Sequence, residues 1–93
     1  MEEKFVAAWM AALKNAMNIG VRLRPLTEDV ALLTAHRYLS GHRESDGFGI
    51  LADKRHLEWT LEALVIDKRF TALFTDEEAN TALQRLLAAG YRF

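Results

Sequence analysis

The chain contains no cysteine, a single proline and only five glycines among its 93 residues. Without thiols, neither a disulfide framework nor a zinc site built on thiolates can form. The scarcity of Pro and Gly excludes a low-complexity or disordered chain. Long apolar runs are missing as well. The longest, Phe5 to Leu13, falls well short of the roughly 20 residues that span a bilayer, so no membrane partner is expected. Nor is there an excess of one charge: twelve Lys/Arg stand against thirteen Asp/Glu, a net charge of −1. That balance gives no global pull toward nucleic acid or anionic lipid. The opening Met1-Glu2-Glu3-Lys4 is acidic where a secretory leader is basic, which predicts a cytoplasmic, bacterial-type protein.

What the chain does have is apolar weight. Hydrophobic residues make up 51% of it, the upper edge for a soluble domain. At this length one helical domain over residues 1–93 is expected, with a core that needs no covalent staples.

Period-3.6 patterning predicts mainly α structure, a compact bundle of about four helices. The first runs over 2–18, with Phe5, Val6, Trp9, Met10, Leu13 and Met17 on one arc and Gly20 as its stop. Thr27 is the expected N-cap of a second helix reaching Leu39 or Ser40, apolar around nearly its whole circumference. Residues 42–49 form the one long polar loop, with Asp46-Gly47 as a turn signal. Asp53 is the expected cap of a third helix in which Leu57, Leu61 and Leu64 point inward while Lys54, Arg55, Glu58 and Glu62 form the wet face. Phe70, Leu73 and Phe74 suit a helical turn. Thr75 to Glu78 spells a capping box for the last helix, and Gly90 closes it. The alternative is a small α+β fold pairing Val21–Arg24 with Gly47–Leu51 as a two-stranded ribbon.

Candidate sites are few. The loop is the first, an exposed contact in which His42, Arg43, Glu44 and Asp46 crowd together, with Phe48 counted among its candidates. Phe48, Ile50 and Leu51 then return the chain to the core. His42, Asp46, Gly47 and Gly49 stand at the spacing H-x-x-x-D-G-x-G, which resembles part of the loop motif of Fic-type AMP-transferases, H-x-F-x-D-G-N-G-R. The resemblance implies a base at His42 and a magnesium-holding Asp46. It covers only the segment 42–49 and departs at Glu44, at Phe48 and at Ile50, where the phosphate-binding arginine is lost.

His36, His42 and His56 with Glu44, Asp46 or Asp53 lack the tight helical spacing of metal ligands. No cofactor is expected and no catalytic or metal-ligating residue is assigned; a metal-binding or catalytic protein centred on the 42–49 loop is an alternative. Arg22, Arg24 and Arg55 are the candidate nucleic-acid contacts, though acidic neighbours dilute any basic patch and no helix-turn-helix spacing occurs. The reading that best accounts for the apolar excess is a protein-interaction or regulatory module that pairs with itself. Trp9, Met10, Leu32 and Leu39 are its expected interface.

Overall fold

The structure, a computed structural model, describes residues 2–24, 26–41 and 44–91. Five α-helices and three short 3₁₀ turns account for the regular structure among these residues, and no strand occurs. The chain is mainly α, and the ribbon alternative is overturned. Its Cα radius of gyration, 12.0 Å, is that of a close-packed chain of this size, about 12–13 Å.

Helix α1 (Glu2–Asn18) is the longest element and follows the expected arc. Phe5, Val6, Trp9, Ala12 and Ala16 are buried, while Met10 and Leu13 are half-buried. Met17 departs from that arc: it is 60% exposed. The chain turns at Gly20, whose φ of +90° is the left-handed conformation that glycine adopts freely. There the Val21 N–H returns to the Ala16 carbonyl at 3.1 Å.

The second helix begins differently from expectation. Thr27 makes no side-chain cap, and a 3₁₀ turn over Glu28–Val30 precedes α2 (Ala31–Ser40). The tighter turn lets the Val30 N–H bond the Thr27 carbonyl at 3.3 Å, so backbone takes over the work of the hydroxyl. Only Ala31, Ala35 and Leu39 of α2 are buried.

Residues 48–53 form a helix, α3 (Phe48–Asp53), which takes in the last two positions of the expected loop. Gly47 launches it from φ +79°, and the Leu51 N–H bonds the Gly47 carbonyl at 2.9 Å. Burial explains it: Phe48 and Leu51, three apart, both face the core. Asp53 therefore ends a helix and caps none.

The expected helix beyond Asp53 is broken in two. Arg55 sits at φ +62°, a 3₁₀ turn spans Leu57–Trp59, and α4 occupies only Leu61–Val65. Thr60 causes the break. Its hydroxyl caps α4 by accepting the Ala63 N–H at 3.2 Å, which requires extended backbone at Thr60 itself. Leu57, Leu61 and Leu64 still point inward as expected.

A 3₁₀ turn at Thr71–Leu73 carries Phe70 and Phe74 into the core. Helix α5 (Asp76–Ala88) then starts at a complete capping box between Thr75 and Glu78 and closes at Gly90, φ +84°. The main core joins α1, α2, α4 and α5 through Phe5, Trp9, Ala35, Leu61, Phe70 and Ala82. Smaller clusters seat α3: Leu51 packs with Ala16 and Val21, and Phe48 with Leu57 and Leu86.

Candidate functional site

The loop after α2 is held by a side chain assigned from sequence to the wet face. Glu62 is completely buried. Its Oε1 accepts the Ser45 hydroxyl at 2.5 Å, and its Oε2 accepts the Ser45 backbone N–H at 2.9 Å. Arg85 Nη1 donates to the same Oε2 at 3.1 Å. The other end of that guanidinium, Nη2, donates to the carbonyls of Tyr38 and Gly41 at 2.9 and 3.0 Å. One buried ion pair thus ties α4 and α5 to the end of α2 and to the loop.

Each bond answers a local need. The last carbonyls of a helix have no partner within it, and Arg85 supplies one for Tyr38. A buried carboxylate is tolerated only when paired and hydrogen-bonded, and Glu62 receives three donors. A serine hydroxyl on a carboxylate also resembles a nucleophile with its base. Here Ser45 is only 7% exposed and both carboxylate oxygens are engaged, so the arrangement braces the loop.

The other loop candidates separate. His42 and Arg43 lie outside the described residues. Glu44 is exposed. Asp46 Oδ2 accepts the Arg24 backbone N–H at 2.7 Å, fastening the loop to the segment before α2. Phe48, counted with the loop but expected to lead the chain back to the core, is 5% exposed and packs with Leu57 and Leu86. Beside the brace lies a cleft of about 40 Å³ between Trp9, Tyr38, Trp59 and Asp46. It has room for a few waters and is far smaller than the roughly 300 Å³ of a ligand site.

The described histidines lie apart. His36 on α2 bonds Glu78 of the α5 capping box and packs on Phe74, ring centroids 5.4 Å apart. His56 stacks flat on Trp59 at 4.0 Å and bonds Glu58 at 2.9 Å. Among the described residues no three His, Asp or Glu side chains gather as metal ligands.

The arginines named for nucleic acid do not share one groove. Arg24 lines a groove along α2 with Thr34, Arg37 and Tyr38. Arg55 lines a different one beside Glu58 and Tyr91, and Arg22 is exposed. The expected interface also divides. Trp9 and Leu39 are 4% exposed and fill the monomer core, with half-buried Met10 and Leu32 packed against it. The outward apolar side chains of α2 and its leading turn are Leu33 and Val30.

Glu78 couples helix capping to α2. Burial pushes its carboxyl upward, but the bonds from His36 and from the Thr75 N–H and hydroxyl outweigh that and hold it below the ordinary glutamate value. A depressed carboxyl stabilises the fold above its ordinary range, and the contribution disappears as pH falls through the folded-state value. The urea midpoint should therefore drop below about pH 4. Glu78→Gln should lower it at neutral pH and flatten that acid limb; an unchanged acid limb would overturn the assignment.

Comparison with known proteins returns no match to any family model, any curated protein or any solved structure. Among the described residues no helix is long and apolar enough to cross a membrane.

Proposed function

We propose that this protein is a small cytoplasmic regulatory module that acts through protein contacts and pairs with itself as a homodimer. One observation carries the reading. Val30 and Leu33 are 41% and 56% exposed and lie three residues apart, hence on one face. Single exposed apolar side chains are ordinary on a protein surface. Two neighbours on the outer side of a helix that already buries its opposite side offer a second apolar face. The Glu62–Arg85 brace supports the same reading, because it fixes the end of α2 and so presents that face on a rigid element.

Light scattering across a dilution series tests the proposal. The mass should rise with concentration from 10.6 kDa toward twice that value. A mass that stays at that of one chain up to about 1 mM, where even contacts of about 4 kcal/mol register, would overturn self-association.

A further inference from the structure

We infer that the second copy docks antiparallel across the outer face of α2, with Leu33 on the two-fold axis and Asp29 of each copy against Arg37 of the other. This rests on the self-association proposed above and assigns it a face.

The orientation of α2 follows from what it buries. Ala31, Ala35 and Leu39 recur every four residues on the core side, which turns Leu33 and Arg37 outward; both are exposed, as are Asp29 and Val30 in the preceding turn. Charge is segregated along this stripe. Asp29 precedes Leu33 by four residues, and Arg37 follows it by four. When two helices pair antiparallel about a two-fold axis at Leu33, a residue n places before it faces the residue n places after it on the other copy. Asp29 then meets Arg37 twice, about 6–7 Å to either side of the axis at about 1.5 Å per residue in α2 and about 2 Å in the 3₁₀ turn.

Among the described residues the charges at both ends have no ion-pair partner of opposite sign. Asp29 shares a cleft with Glu2, Glu3 and Glu28, and Arg37 shares its groove with Arg24. The ion pairs among the described residues join His36 to Glu78, His56 to Glu58, Arg69 to Asp67 and Arg85 to Glu62. None uses these six side chains. Each copy therefore carries an acidic end, an apolar centre and a basic end on one face. Antiparallel pairing satisfies both ends at once, whereas parallel pairing sets acid on acid and base on base. The contact uses the same patch on both partners, so it closes at two copies. Its small extent makes it a weak, salt-sensitive dimer.

Charge exchange is the test, read by sedimentation over a dilution series of the full chain. Arg37→Glu and Asp29→Arg should each raise the dissociation constant about tenfold or more. The double variant should return it to within a few fold of the original. Far-UV circular dichroism should show both single variants folded, since both residues are exposed and neither has an ion-pair partner among the described residues. As a second route, 0.5 M salt, about three times physiological ionic strength, should weaken the parent dimer and act less on Arg37→Gln. A dimer indifferent to both single reversals, or unrestored by the double, overturns this face and leaves self-association standing. A parent protein that is monomeric throughout overturns both.

Discussion

The Glu62→Ala variant is expected to lose about 3–5 kcal/mol of folding stability, the cost of stranding one member of a buried ion pair. Arg85 is 10% exposed, so its charge would keep neither its partner nor full access to water. Ser45 would lose the acceptor for both its N–H and its hydroxyl. A small domain holds about 5–15 kcal/mol in all, and each kcal/mol moves the melting temperature by about 4–8 °C at this size. A fall of at least about 12 °C in a thermal melt followed by circular dichroism is therefore anticipated.

Replacing the pair together separates charge from packing. Glu62→Leu with Arg85→Met should be less destabilised than Glu62→Ala, because no lone charge remains. The double variant still forfeits the donors to Tyr38 and Gly41, so it should not match the parent. Amide exchange should accelerate at Ser45 and at the end of α2 in both variants. A loss below about 1 kcal/mol for Glu62→Ala, the scale of an exposed pair, would remove the brace from this account.

The second large effect belongs to Phe5→Ala, expected to cost about 3–5 kcal/mol. Phe5 has no exposed surface. Its ring meets Phe70 and Phe74 edge-on, with centroids 5.4 and 5.2 Å away, and lies tilted against Trp9 at 5.9 Å. Those three partners come from α1 itself and from the residues that lead into α5, so truncation opens a void between α1 and that turn. Adjacent Trp9, 4% exposed, reports the change: its emission should shift to the red as water enters. Guanidinium unfolding measures the energy, and a loss under about 2 kcal/mol would mean that the aromatic cluster closes over the gap.

Much of the architecture was legible because its causes are local. Helix α1 and its stop at Gly20 follow from an apolar arc and one left-handed residue. The Thr75–Glu78 capping box needs only residues three apart. The turn between Phe70 and Phe74 follows from i, i+3, i+4 spacing.

The misreadings share a different cause. Residues 48 and 49 read as the end of the loop because Gly47 and Gly49 bracket Phe48, yet burial of Phe48 and Leu51 outweighs the entropic cost of a helical glycine. The continuous stripe Leu57–Leu61–Leu64 hides the break at Thr60, since a helix and a turn–helix pair can bury the same leucines. Glu62 reads as solvated beside Glu58, but its neighbours Leu61, Ala63, Leu64 and Val65 are all apolar. That setting was the available signal for a carboxylate drawn inside.

By itself the sequence determined a mainly α chain, the stop of its first helix, the cap of its last, and the inward turn of Leu57, Leu61, Leu64, Phe70 and Phe74. Those features depend on residues within about four positions of one another, the range over which a helix makes its hydrogen bonds. Tertiary structure decided which polar groups are inside and which side of α2 is left out. Glu62 is buried because Ser45, 17 residues before it, and Arg85, 23 residues after it, arrive at the same point. The outward side of α2 is set by Ala31, Ala35 and Leu39 fitting against α1, α4 and α5, a choice among nearly equal apolar faces that only the surrounding packing can make.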